Sequence, residues 1–189
     1  VEATPPPRAA LLPHIWLSDE EIRQGQRLLE QLPDKAGTPP IALHPYATHP
    51  DKAWKEAYWR QLMELFESRG IPWIVIGRGS GMEGIPASCN FTNRTSLRET
   101  CALLKSSSLL ITGDSGPMHL AGAVGTPVLA LFGPTTEEWG FFPAGPKDRV
   151  LESQLDCRPC TLHGKKHCDR NHACMQSITP EQVMRALDE

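Results

Sequence analysis

Apolar residues along this chain fall into two patterns: short unbroken runs, and longer stretches in which they return every third or fourth position. The runs at 41–43, 72–77, 109–112 and 128–132 read as strands buried on both faces, with weaker candidates at 89–92 and 149–151. Helical spacing fills the intervals. Ile22, Leu28, Leu29 and Leu32 follow Ser18-Asp19-Glu20-Glu21, an N-cap with an acidic first turn, and Pro33 closes that helix. Trp59, Leu62, Leu65 and Phe66 form the apolar face of a helix over 54–68 that ends at Gly70. Leu97, Cys101, Leu103 and Leu104 do the same over 96–106, and residues 34–40 are a turn-rich connector. In the last helix Thr179 is the cap, Pro180 takes the first turn, and Val183, Met184 and Leu187 point inward.

Strands alternating with helices at this spacing predict an α/β fold on a doubly wound parallel sheet. Ligands of such sheets bind outside the carboxyl ends of the strands. The loops after Leu43, Ile76 and Ile111 all leave that edge, so functional chemistry is sought there.

The third loop is the most informative. Asp114-Ser115-Gly116-Pro117-Met118-His119 joins the 109–112 strand to a small-residue helical pattern at 120–124. Asp and Ser are good helix caps, Pro suits a first turn, and the free N–H groups of a helix start attract anions, phosphate above all. His119 reaches back over the same anion only if the residues just after Asp114 are non-helical. The expectation is a phosphate or diphosphate cradle; the competing reading is a capped helix with His119 on the surface. In the first loop, His44-Pro45-Tyr46-Ala47-Thr48-His49-Pro50-Asp51-Lys52-Ala53-Trp54, Lys52 offers a point charge to a phosphate and Thr48 a hydrogen bond. A solvated lysine beside a structural tryptophan is its alternative. The second loop, Gly77-Arg78-Gly79-Ser80-Gly81-Met82-Glu83, lacks dinucleotide spacing and no helix follows at once, which excludes a nicotinamide site. Glu83 reads either as a carboxylate for ribose hydroxyls or as a charged loop residue.

Composition narrows the classes. With 189 residues there is room for one α/β domain and appendages, and a net charge of −3 argues against a nucleic-acid partner. No apolar run is long enough to cross a bilayer, and no signal segment is evident. Pro5-Pro6-Pro7 after Glu2-Ala3-Thr4 reads as a stiff linker. Residues 1–14 are therefore expected to join a missing N-terminal domain to a ligand-binding domain over 15–189, with a disordered N-terminal tail as the competing reading.

Four segments, taken in order, carry a family resemblance: His44 to Trp54, Thr95-Ser96-Leu97, Asp114 to His119, and Leu131-Phe132-Gly133-Pro134-Thr135. Together they resemble the C-terminal half of lipopolysaccharide heptosyltransferases, from about residue 15 to the end. The resemblance implies a Rossmann-like domain that is the donor-binding half of a GT-B glycosyltransferase and holds ADP-heptose. A missing N-terminal domain would hold the lipopolysaccharide core/lipid A acceptor and the catalytic base, so that no catalytic residue is assigned in this chain. It also implies inverting, metal-independent transfer, with no cofactor required, by a cytoplasmic enzyme in peripheral contact with the inner membrane. By the same resemblance Thr48, Lys52, Ser115, Gly116 and His119 lie near the diphosphate, with Lys52 and His119 stabilising the leaving group. Asp114 lies near the sugar or the helix start, Glu83 near the ribose, and Thr95 near the adenine through its backbone. Tyr46 departs from the glycine that many members carry there. A lysine, a histidine and a helix start aimed at a departing diphosphate are the preorganised stabilisers such a reaction needs. The alternatives are another GT-B nucleotide-sugar enzyme, such as an epimerase, and a noncatalytic zinc- or nucleotide-binding module.

Cys157, Cys160, Cys168 and Cys174 place four of the six cysteines in a tail at 157–174. A Cys-x-x-Cys turn with two further thiols is the donor set of a structural zinc, and His163, His167 or His172 could replace one ligand. Disulfides and reduced thiols in a small satellite core are the other readings. Cys89 and Cys101 read as core residues.

Overall fold

The computed structural model describes residues 12–33, 37–161 and 167–188. Five strands, β1 (Ile41–His44), β2 (Trp73–Val75), β3 (Leu109–Gly113), β4 (Val128–Phe132) and β5 (Arg149–Glu152), form one sheet in the order β2-β1-β3-β4-β5, and every pairing is parallel. The expected doubly wound α/β sheet is therefore present. Growth proceeds from β1 to β2, then resumes on the other side of β1 with β3. That reversal opens a crevice between the carboxyl ends of β1 and β3, where sheets of this order bind ligands.

Six helices accompany the strands: α1 (Asp19–Leu29), α2 (Glu56–Ser68), α3 (Leu97–Lys105), α4 (Gly116–Val124), α5 (Ala173–Gln176) and α6 (Pro180–Asp188). Side chains alternate along a strand, and the two faces are covered by different helices. Ile41, Leu43, Ile111 and Leu129 meet α2 and α6, whereas Ala42, Leu110, Val128 and Ala130 meet α3 and α4. The helix starts follow local chemistry. Ser18 with Glu21 and Ser96 with Glu99 each close a capping box, and Thr179 exchanges the same pair of bonds with Gln182.

Some boundaries differ from the sequence reading. The helix expected from 54 begins at Glu56, because Trp54 is buried ahead of it and donates its indole N–H to the carbonyl of Ile178 at 2.8 Å. The 89–92 candidate strand reduces to a single bridge between Asn90 and Val75. Leu97 is 66% exposed although its spacing matches the apolar face of α3, since it sits in the first turn, off the core. The short α5 was not anticipated. Of the expected linker, residues 1–11 lie outside the described residues, as do 34–36 of the connector. Among the described residues no helix is long and apolar enough to cross a membrane.

Gly25 is the one buried residue of α1, and a Cβ there would sit 2.7 Å from the backbone carbonyl carbon and oxygen of Ala102 in α3. In an exposed helix, Gly→Ala stabilises by up to about 1 kcal/mol. Here the sign reverses: Gly25→Ala is expected to lower stability by about 1–3 kcal/mol, since α1 must move off α3. Denaturant unfolding of the two proteins reads this directly, and a stabilised variant would contradict the contact.

Candidate functional site

The crevice is built by register. β1 and β3 pair so that His44 lies beside Thr112, the last inward pair before the two chains leave the sheet. The His44 Nδ1 is 3.1 Å from Thr112 Oγ1 and 3.3 Å from Ser115 Oγ, and the two hydroxyl oxygens are 2.9 Å apart. Ser115 is the N-cap of α4, with extended backbone (φ −155°, ψ 166°), yet its side chain makes no capping bond. The expected cap is therefore corrected: the Ser115 hydroxyl is held down among His44 and Thr112, and the start of α4 carries no side-chain cap. Asp114 and Ser115 are non-helical, the condition for His119 to lie within the first turns of α4. His119 is exposed there.

Above this trio the two loops are tied together. Lys52 ends a 3₁₀ turn (Pro50–Lys52), and its Nζ lies 2.6 Å from Asp114 Oδ2, with only 14% and 12% of the two side chains exposed. Lys52 is thus neither solvated nor isolated; it bridges the loop after β1 to the loop after β3. Gly113 permits the approach, because a Cβ there would stand 3.3 Å from the Lys52 carbonyl oxygen.

A pocket of about 450 Å³ opens beside the start of α4. Thr48, Thr95, Ser115 and Gly116 line it, as the sequence reading placed them; Lys52, Asp114 and His119 are not in its wall. Glu83 is not brought to it. That residue is exposed on the second loop, where its carbonyl accepts a bond from Arg60 at 2.8 Å. The remaining lining was missed as site residues: Tyr46, Leu97, Pro117 and Leu120 supply an apolar wall and Arg78 a cation. Its one sequence signal was the place of Leu97 in the Thr95-Ser96-Leu97 segment, beside Thr95. Tyr46 fills the space under the second loop, its hydroxyl 2.7 Å from Thr92 Oγ1, and only glycine fits at Gly79, where a Cβ would come 2.2 Å from the Tyr46 ring. The arrangement suits a ligand with a flat or apolar part and an anionic part.

The cysteine tail braces the rim of the site. Cys157, Cys160, Cys168 and Cys174 are free thiols, and burial pushes the Cys174 thiol up. Among the described residues no three His, Cys, Asp or Glu side chains gather where a metal could sit; His163 lies outside those residues, and His167 pairs with Asp169 on the surface. The tail's other groups reach back to the loops. His172 Nε2 is 3.0 Å from Asp51 Oδ1, in the turn that carries Lys52. Arg158, 7% exposed, binds Glu152 at 2.7 Å and donates to the carbonyls of Thr135 and Gly133 after β4.

The sequence from 16 to 169 matches the family model described as glycosyltransferase family 9 (heptosyltransferase). Lipopolysaccharide heptosyltransferase 1 of Pseudomonas aeruginosa is 35% identical over 153 residues, covering 74% of this chain and 40% of that protein. The solved Escherichia coli ADP-heptose lipopolysaccharide heptosyltransferase II overlays 98% of this chain with a TM-score of 0.71 at 22% identity. The E. coli heptosyltransferase TibC, solved in complex with ADP-D-β-D-heptose, overlays 83% with a TM-score of 0.65 at 23% identity. These likenesses show that the parallel α/β fold is the one found in solved GT-B heptosyltransferases. The chain spans about half the length of the two solved relatives, at 54% and 46%.

Burial pushes the His44 imidazole down to about 4 from its ordinary 6.5, so the folded protein keeps it neutral where the unfolded chain protonates it. Its contribution to stability is full above about pH 6.5 and is lost as pH falls toward 4, by about 3 kcal/mol. The lowered carboxylates, Glu20, Glu21, Glu99 and Glu181, give up their contribution as pH falls through their ordinary 4.5, at the acid end of that window and alike in wild type and His44→Asn. Unfolding free energies between pH 7 and 4 are therefore expected to fall more steeply in the wild type than in His44→Asn; parallel curves would contradict the burial argument.

Proposed function

The chain belongs to glycosyltransferase family 9, and from that membership we propose that it is the donor-binding part of a heptosyltransferase and holds ADP-heptose. The observation that carries the reading is the start of α4, uncapped by any side chain, opening beside a pocket at the β1/β3 reversal with a lysine across the crevice. A helix start favours a diphosphate through its dipole and its first amide, here that of Gly116, since Pro117 has no N–H and Met118 donates to the Ser115 carbonyl at 3.1 Å. In this reading the nucleoside lies in the pocket, its base against Leu97, Pro117 and Leu120, with Thr95 at the base and Thr48 toward the diphosphate. Heptosyltransferases among the similar proteins, one of them solved with ADP-D-β-D-heptose, support ADP and heptose over other nucleotides and sugars.

Transfer then runs as an inverting displacement. An acceptor hydroxyl of the lipopolysaccharide core, delivered by a further domain with the base, attacks the anomeric carbon. The bond from that carbon to the β-phosphate oxygen breaks, and ADP leaves carrying the electron pair. Charge grows on the diphosphate as the bond lengthens, and Lys52, His119 and the start of α4 with its Gly116 amide face it with no divalent metal needed. Asp114 keeps Lys52 in place before the donor arrives. The interaction strengthens in the transition state, so its loss falls on turnover more than on donor affinity.

Calorimetric titration of ADP, UDP and GDP, with and without a chelator, tests the binding half. ADP is expected to bind best, and equally well with chelator; a preference for another base, or binding abolished by the chelator, would overturn the donor or the metal-free mechanism. In an assembled enzyme that includes the acceptor domain, Lys52→Ala and His119→Ala are each expected to slow turnover by about a hundredfold while the fold survives. Wild-type turnover from both variants would remove the diphosphate from this loop.

A further inference from the structure

Two threonines meet at the wall of the pocket, and a backbone carbonyl fixes the direction of the bond between them. Thr100, in α3, is 8% exposed, and its Oγ1 donates to the Ser96 carbonyl one turn back at 2.9 Å. That is the back-bond of a helical threonine, and it uses the one proton the hydroxyl has. Thr95 Oγ1 stands 2.9 Å from Thr100 Oγ1. With the Thr100 proton committed, the bond between the two oxygens takes the proton of Thr95. Thr95 donates and Thr100 accepts. Among the described residues the Thr95 hydroxyl has no other partner. Its oxygen therefore keeps a free lone pair but no free proton, and it can only accept. Both threonines line the pocket, and Thr95 stands two residues ahead of Leu97 in its apolar wall.

We propose that Thr95 Oγ1 is the specificity-determining group for the base, accepting a hydrogen bond from an exocyclic amine, and that Thr100 is the positioning residue that sets this polarity by taking the Thr95 proton. The proposal rests on the donor-site reading above and assigns the choice of adenine to one atom. An amine on the base completes a chain of three bonds: amine to Thr95, Thr95 to Thr100, and Thr100 to the Ser96 carbonyl. A carbonyl in the same place has no proton to give. To bond it, Thr95 must withdraw its proton from Thr100, and Thr100 must turn from Ser96 to Thr95, which leaves two bonds where the amine makes three. Phosphate oxygens also only accept, so the same oxygen turns the diphosphate away from this end of the pocket.

Calorimetry on the 189-residue chain compares ADP with two diphosphates that keep its purine ring system, ribose and phosphates: purine riboside 5′-diphosphate, which lacks the amine, and inosine 5′-diphosphate, which has a carbonyl in its place. The wild type is expected to hold the amine-free diphosphate about fivefold to tenfold more weakly than ADP, the worth of one neutral hydrogen bond, and the inosine diphosphate more weakly still. In Thr95→Val the gap between ADP and the amine-free diphosphate is expected to close to within about twofold, through loss of ADP affinity alone, whereas Thr95→Ser keeps it. Thr100→Val frees the Thr95 proton to donate and is expected to bring inosine diphosphate within about threefold of ADP, a change of preference that a packing role would not give. Thermal unfolding checks that each variant folds, and the wild-type comparison needs no variant. A wild type that binds ADP and the amine-free diphosphate equally well, a folded Thr95→Val that keeps the gap, or a folded Thr100→Val that rejects inosine diphosphate as the wild type does overturns the proposal while the donor site stands. Failure of the wild type to bind ADP overturns both.

Discussion

The reversal of sheet growth between β1 and β3 is the constraint on which the rest of this molecule depends. It places two strand ends side by side with no crossover between them, and it sends the two following loops over one crevice. Register does the remaining work. Because His44 and Thr112 are paired across the strands, they fall on the same face, under the start of α4, and become the floor of the site. The next residues of each loop rise above that floor and meet as the Lys52–Asp114 pair, 2.6 Å apart. A mostly buried ion pair contributes little net stability by itself, but losing one partner leaves an uncompensated charge, so the pair holds the loops in register more than it strengthens the fold.

The C-terminal segment explains why these loops stay in place. Trp54, just before α2, is anchored on the Ile178 carbonyl, and Tyr58 donates to the carbonyl of Gln176 at 3.2 Å. Both contacts lie on the turn-and-helix unit that presents Lys52. On the other side Arg158 and the Cys160 amide, which donates to the Pro134 carbonyl at 3.1 Å, hold the loop after β4. Cys174 sits within this brace, against the Gly133 turn. The tail is therefore a support for the carboxyl edge of the sheet.

Much of this was legible in the sequence, and the failures share a physical cause. Unbroken apolar runs located β1, β3 and β4, because a strand buried on both faces leaves no other pattern. Capping chemistry located α1 and α6, and apolar spacing located α3. Asp114 to His119 was legible as a helix start at a strand end, and Thr48, Thr95, Ser115 and Gly116 do line one pocket. What could not be read was competition among partners. Ser115 stands at the cap position of α4 and Asp114 just before it, but their side chains bond partners more than sixty residues away in the sequence, His44 and Lys52. The same holds for Leu97, whose spacing says core and whose place at the helix start says pocket rim. Glu83 sits at the far end of a loop whose start, Gly77 and Arg78, lines the pocket, and its carbonyl is tied to Arg60 instead.

A crystal structure of the chain with ADP tests the account most directly. The diphosphate is expected at the start of α4, accepting a bond from the Gly116 amide and within reach of Lys52, with the adenine in the pocket beside Leu97. ADP bound away from the β1/β3 crevice would contradict it.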